Sequence, residues 1–146
     1  MVIILGTLFT ACARTEAKPE NGQQMLEGIV FEDVNSNGVR DEREKGLARV
    51  RVSNGRDIIM TDVRGRWHLP AGPDDTIFVI KPRNWISPLD ENGLPQFFYV
   101  HNPDGSPDGL KYRGVEPTPN EPGAINFPLH RHPESSPFSA ILLGDP

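Results

Sequence analysis

Leu26-Glu-Gly-Ile-Val-Phe31, Asp33-Val-Asn-Ser-Asn-Gly-Val-Arg-Asp-Glu-Arg-Glu44 and Gly46-Leu-Ala-Arg-Val-Arg-Val52 follow one another almost without a break. In the middle segment, oxygen-bearing side chains fall at positions one, three, five, nine and twelve, with glycine at six. A calcium ion needs this spacing to be wrapped by one continuous turn of backbone. Asp33, Asn35 and Asn37 supply side-chain oxygens in such a loop and Val39 its backbone carbonyl. Asp41 binds directly or through water, and Glu44 closes the site with two oxygens. Gly38 permits the sharp bend. A helix–loop–helix hand needs helices on both sides, and the flanks here argue against them. Ile29-Val30-Phe31 and the Arg-Val-Arg-Val alternation at 49–52 read as strands. The competing reading is an Asn-Gly turn between strands whose acids are merely solvated. Extracellular calcium modules of this kind bind with Kd of about 10⁻⁴ to 10⁻³ M. At about 1 mM calcium the gain is on the order of 1 kcal/mol, enough to order a loop but not to create a fold.

Downstream, the strand pattern continues at short intervals. Val50 and Val52 alternate with Arg49 and Arg51, Ser53-Asn54-Gly55-Arg56 forms a turn, and Asp57–Thr61 returns as the second arm of a hairpin. After a turn at 62–65, Arg66-Trp67-His68-Leu69 points Trp67 and Leu69 inward and His68 outward. Thr76-Ile-Phe-Val-Ile80 is apolar on both faces, as a central strand is. Five or six strands between residues 26 and 81 predict a compact β-sandwich. Trp67 is its natural core plug; stacking on a sugar is the alternative role, and inward alternation makes it unnecessary.

Whole-chain numbers agree with an all-β domain. The chain has 146 residues, 36% hydrophobic, with 15 prolines and a net charge of −5. Proline at that density excludes a helical bundle. Between Glu27 and Pro70 eight acidic and eight basic residues cancel, so no basic stripe exists and nucleic-acid binding is not expected. No internal repeat is visible.

Val2–Phe9 is an apolar run too short to span a bilayer, and Phe9-Thr-Ala-Cys12 resembles a bacterial lipobox, although Phe9 replaces the usual leucine. Residues 1–12 are expected to form an export signal, with Cys12 acylated as a membrane anchor or the signal cut to leave a soluble product. The predicted location is periplasmic, membrane-anchored or secreted. A basic n-region is missing, which suggests a start placed too late or an upstream clip. Cys12 is the single cysteine, so no internal disulfide forms. Residues 13–24 make a polar tether, and the sandwich is expected over 25–83.

From 84 to 139 the chain is a Pro-rich, loop-rich extension: eleven of the 15 prolines lie between Pro82 and Pro137. Gln96–His101 and Ala124–Phe127 are its strand candidates, joined through the turns of Asn102-Pro-Asp-Gly-Ser-Pro-Asp-Gly109. So long a segment often packs on a neighbouring domain. His130-Arg131-His132 is a weak metal pair, and His101 has no ligand-like spacing. Ile141-Leu-Leu143 then runs into Gly144-Asp145-Pro146, the way a sheet edge presents a metal-binding carboxylate. Residues 140–146 are therefore expected to open a second, truncated domain.

Taken in order, G-I-V-F-E-D-V-N-S-N-G-V-R-D (28–41), G-L-A-R-V-R-V-S-N-G-R-D (46–57) and T-D-V-R-G-R-W-H-L-P (61–70) resemble the N-terminal module of bacterial calcineurin-like metallophosphoesterases. F-V-I-K-P (78–82), F-Y-V-H-N-P-D-G-S-P (98–107), N-F-P-L-H (126–130) and the closing I-L-L-G-D-P continue the likeness. The first three also resemble adhesin B-type repeats and carboxypeptidase regulatory-like domains. The resemblance implies a transthyretin- or immunoglobulin-like sandwich ahead of a two-metal catalytic domain. Asp145 matches that domain's first metal ligand, and the remaining metal motifs are absent from this sequence. The chain is thus expected to be catalytically inert and non-enzymatic by itself, an accessory to an exported phosphoesterase. Its partner would be its own downstream catalytic domain, through which alone it meets a phosphoester and a divalent two-metal centre. The rival expectations are a calcium-stabilised stalk or adhesion module, or a carbohydrate-binding sandwich presenting Phe97, Phe98 and Tyr99.

Overall fold

The computed structural model describes residues 19, 22–112 and 114–136, with no helix among them. Eight strands are formed: β1 (Gln24–Glu32), β2 (Arg51–Ser53), β3 (Ile58–Met60), β4 (Arg66–Ala71), β5 (Asp75–Ile80), β6 (Trp85–Ile86), β7 (Phe98–His101) and β8 (Phe127–Arg131). They make two four-stranded sheets, ordered β4-β1-β8-β6 and β3-β2-β5-β7. The sheets face each other across one core, in which Leu26, Val30, Trp67, Leu69 and Leu129 of the first meet Val52, Ile77 and Val79 of the second. The all-β sandwich expected from the sequence is the fold found.

Period-two alternation sets each strand's inner face. In β4 the pattern holds over its first four residues, where Arg66 and His68 are exposed while Trp67 and Leu69 are buried; Pro70 and Ala71 are both buried. Trp67 is 2% exposed and tilts against Phe127, 5.8 Å between ring centroids. Each such side chain contributes about 2–3 kcal/mol through the apolar surface it removes from water. The Asn54-Gly55 turn holds the β2–β3 hairpin through the Asn54 side chain, whose Oδ1 accepts the N–H groups of Arg56 and Asp57 while Nδ2 reaches the Pro70 carbonyl. At the β3–β4 turn, Asp62 accepts from the backbone N–H of Arg66 and Arg64, and these bonds hold its carboxyl below the ordinary range.

The strands differ from the sequence reading in several places: β6 had no counterpart in it, β7 starts at Phe98 rather than Gln96, and two further positions differ for physical reasons. β2 starts at Arg51 rather than Arg49, because Arg49 takes a left-handed φ of 62°. The last strand runs 127–131 rather than 124–127. Before it enters the sheet, the chain crosses over β1, where the Ile125 N–H donates to the Glu27 carbonyl and a Cβ on Gly28 would sit 1.7 Å from the Ile125 oxygen. Only glycine fits beneath that crossing.

Strands from residues 85–131 are built into both sheets. β8 lies parallel to β1, with Val30 opposite Phe127 and Glu32 opposite Leu129, and β7 extends the second sheet along β5. Pro128 is tolerated inside a sheet because β6 pairs only with His130 and Arg131, beyond it.

Candidate functional site

The segment Asp33–Glu44 leaves the end of β1 and returns at Gly46 with no helix on either side. Its root is stapled by backbone. Glu32 N–H donates to the Lys45 carbonyl at 2.9 Å, Leu47 N–H to Val30 at 2.8 Å, and Val30 N–H to Gly65 at 2.8 Å. The chains cross so closely that a Cβ on Gly46 would lie 1.8 Å from the Arg64 carbonyl oxygen. A bulkier residue at either glycine would push the loop off its base.

Within this frame the side chains named by the spacing converge. Asp33 is 3% exposed and accepts the Gly38 N–H through Oδ2 at 2.9 Å. Asn35 and Asn37 form successive Asx turns, their Oδ1 atoms accepting the N–H groups of Asn37 and Val39. Both amide nitrogens reach Asp41 Oδ2, at 2.7 and 3.2 Å. Glu44, 5% exposed, spans the loop mouth: Oε1 accepts from Val34 N–H at 2.8 Å and Oε2 from Asp41 N–H at 3.0 Å. Ser36 and Gly38 take φ of 60° and 72°, which let the turn tighten. Val39 is exposed.

One atom stands out. Asp33 Oδ1 is buried and accepts no hydrogen bond. A carboxylate oxygen in that position lacks compensation, a cost of about 1–3 kcal/mol unless a cation or water supplies it. This is the feature that fits calcium, whose loops take a carboxylate oxygen at position one. Binding would require Asp41 Oδ2 to exchange the amide donors of Asn35 and Asn37 for the ion, which those two residues could meet only through Oδ1. Among the described residues, no three His, Cys, Asp or Glu side chains stand together as a metal cluster, so a cation here would depend on amide and carbonyl oxygens as well.

The structure also ties the loop to β8, a link with no signal in the loop's own sequence. Asp33 N–H donates to the Leu129 carbonyl at 3.0 Å, and His130 Nδ1 lies 2.9 Å from the Asp33 carbonyl oxygen. Arg131 pairs with Glu32 at 2.7 Å while its guanidinium lies over the Trp85 ring. His130 and His132 therefore act separately; His132 is exposed. His101 is buried, with Nε2 2.7 Å from the Gln24 amide nitrogen. Burial pushes its imidazole below the ordinary pKa, with the Asp75 carboxylate pulling the other way. Cys12 and Asp145 lie outside the described residues. No helix of the described residues is long and apolar enough to cross a membrane.

The turn-rich segment 104–117 encloses an open groove of about 430 Å³ bordered by Asp104, Asp108 and Glu116. Its carboxylates are exposed, and none reaches inward as Asp33 does.

No curated protein matches the chain. Among solved structures, the major plantain pollen allergen Pla l 1 aligns over 81% of this chain and 99% of its own, at 19% identity and a TM-score of 0.41. A likeness that weak carries no argument. The family described as the N terminal of Calcineurin-like phosphoesterase matches residues 34–115, more than half of the sequence, from inside the Asp33–Glu44 loop through β7 and into the following turns. The chain belongs to that family.

Proposed function

We propose that this sandwich is a non-catalytic accessory domain of an exported calcineurin-like phosphoesterase, placed ahead of the catalytic domain and holding it in position. The family match over 34–115 is the observation that carries this reading, because it concerns the N-terminal region of such enzymes and not their catalytic core. The sequence beyond the described residues supports the same order: the Ile141-Leu-Leu-Gly-Asp145 run resembles the first metal-bearing strand of that core. Export and lipid anchoring at Cys12 are part of the proposal and rest on the apolar run Val2–Phe9 before it.

Calcium has a structural part in this reading. It would bind at Asp33, Asn35, Asn37, Asp41, Glu44 and the Val39 carbonyl and supply positive charge to Asp33 Oδ1. The protein's own groups do the rest: Glu44 ties both ends of the loop through two backbone N–H groups, and Asp33 ties the loop to Leu129.

The test compares this chain with the natural chain carried on through the phosphoesterase domain. With manganese or iron added, the longer protein should hydrolyse an aryl phosphate and the 146-residue chain should not. Turnover by the short chain would put the chemistry in the sandwich and end the accessory reading.

A further inference from the structure

The outward faces of the two sheets differ in kind. On the first sheet, Glu27 lies opposite His68 and Ile29 opposite Arg66, so charged and polar groups break up the apolar Met25 and half-buried Ile29. On the second, the outward rows are Met60–Arg51–Ile80, Ile58–Ser53–Phe78–Phe98 and Thr76–Val100, with Ser53 buried and Thr76, Phe78 and Val100 half-buried. Ile58 is 61% exposed, Phe98 49%, Met60 43% and Ile80 36%, and Phe97 meets Phe98 edge-on at the margin. The inner side chains of the same strands already fill the core, so alternation does not account for this apolar face. A contiguous exposed patch of this sort marks an interaction surface in a soluble protein.

The path of the chain indicates what covers it. Past β8, His132 N–H donates to the Asn84 carbonyl, Glu134 N–H to Asn84 Oδ1, and the Glu134 carboxylate pairs with Lys81. Lys81 follows Ile80 directly, so the chain is pinned at a corner of the apolar face. From Glu134 to Ile141 seven residues span at most about 25 Å when fully extended. Four strands spaced about 4.8 Å apart make a face roughly 15 Å wide, all of it within that reach.

We infer that this face, centred on Ile58, Phe78, Ile80 and Phe98, is the surface against which the following phosphoesterase domain docks, by burying apolar side chains of its own. The inference rests on the accessory-domain reading, since that reading supplies the partner. Docking there would fix the orientation of the catalytic domain through a sheet face instead of through the linker alone.

Thiol labelling tests it. In a Cys12→Ser background, Ile58→Cys and Phe98→Cys are made singly, with Val63→Cys, 86% exposed, as the reference. Each is labelled with a maleimide in the 146-residue chain and in the natural chain carried through the phosphoesterase domain. Labelling at 58 and 98 should slow at least tenfold in the longer protein while labelling at 63 stays the same. Equal rates in a longer protein that hydrolyses aryl phosphate would overturn the docking face and leave the accessory reading standing. A longer protein without phosphoesterase activity would remove both. Protection in the short chain that grows with its concentration would assign the face to a second copy. Protection only on adding phosphatidylglycerol–phosphatidylethanolamine vesicles would assign it to a lipid surface. Either result overturns the inference.

Discussion

Two loops of this sandwich have nearly the same vocabulary and opposite wiring. Residues 33–44 and 102–117 are both rich in Asp, Asn and Gly, and each loop meets its strand at a buried polar residue with one unpartnered atom: Asp33 Oδ1 just after β1 and His101 Nδ1 at the end of β7. The first loop is stapled at its root and draws its carboxylates inward. The second is held differently: Asn102 N–H donates to Thr118 Oγ1, Thr118 and Gly105 N–H to the Asn102 carbonyl, and Ser106 exchanges bonds with Val115. Its carboxylates are exposed. Acidic density is therefore a poor guide to a site; what separates the loops is a buried carboxylate oxygen without a hydrogen-bond partner, Asp33 Oδ1.

The largest expected difference lies at the roots. Gly46→Ala places a methyl 1.8 Å from the Arg64 carbonyl oxygen, backbone that cannot step aside. We expect a loss of about 3 kcal/mol or more, read as a collapse of the urea midpoint. Gly109→Ala, at φ 83° with nothing within 4 Å, carries only left-handed strain. Its loss should stay near 1–2 kcal/mol. Equal losses would mean that the first loop is no better rooted than the second.

Next comes the mouth of the first loop. Glu44→Ala, measured in chelator, removes the acceptors of the Val34 and Asp41 N–H groups together. A loss of about 2 kcal/mol is expected, whereas Asp108→Ala in the exposed loop should stay within about 0.5 kcal/mol. Glu44→Gln should also abolish any rise in melting temperature on adding calcium; identical melts of the unaltered protein with calcium and with chelator would refute the loop assignment.

Asp33→Asn separates charge from shape. The amide keeps an acceptor for Gly38 N–H but removes the negative charge beside the unpartnered oxygen. In chelator the variant should melt at or above the unaltered protein. With calcium near 1 mM it should lose the gain of about 1 kcal/mol, a shift of a few degrees. A calcium response that survives would place the ion elsewhere.

Much of this was legible in the residues, and the limits have a physical cause. Strands over 26–80 follow from short-range alternation, which placed Trp67 and Leu69 inside and His68 outside. Spacing picked out Asp33 to Glu44 as a calcium-type loop, and the flanking residues placed it between strands. What could not be read was the pairing of β1 with β8: Val30 and Phe127 are far apart in sequence, and a parallel neighbour leaves no periodic mark on either strand. The strand candidate Ala124–Phe127 stopped short of Pro128, and the short reach of β6 makes room for that proline in the sheet. For the same reason the bonds from Asp33 to Leu129 and His130 were invisible. The second sheet's apolar outer face was in the sequence as Phe78, Ile80 and Phe98. Reading it as outer required knowing that Val52, Ile77 and Val79 already fill the inside.

The smallest effect concerns the buried group beneath the second loop. The Gln24 amide nitrogen lies 2.7 Å from His101 Nε2 and 2.5 Å from the Asn120 carbonyl oxygen. The amide thus donates to Nε2, leaving the proton of the neutral ring on Nδ1. Protonating Nε2 would set two donors against each other in a place that already disfavours charge, and burial pushes the imidazole down. The unfolded chain, with an ordinary histidine near 6.5, then binds more protons than the folded one below that pH. Stability should be full above about pH 6.5 and decline as pH falls from there toward the lowered folded-state value. His101→Gln should flatten that part of the profile in urea titrations at stepped pH. Asp33 and His101 would then stand as opposite solutions to one problem, an unpartnered polar atom at the end of a strand: the carboxylate offset by a cation, the imidazole by staying neutral. If the slope persists in the variant, His101 is not the group that sets it and the symmetry between the two loops is only geometric.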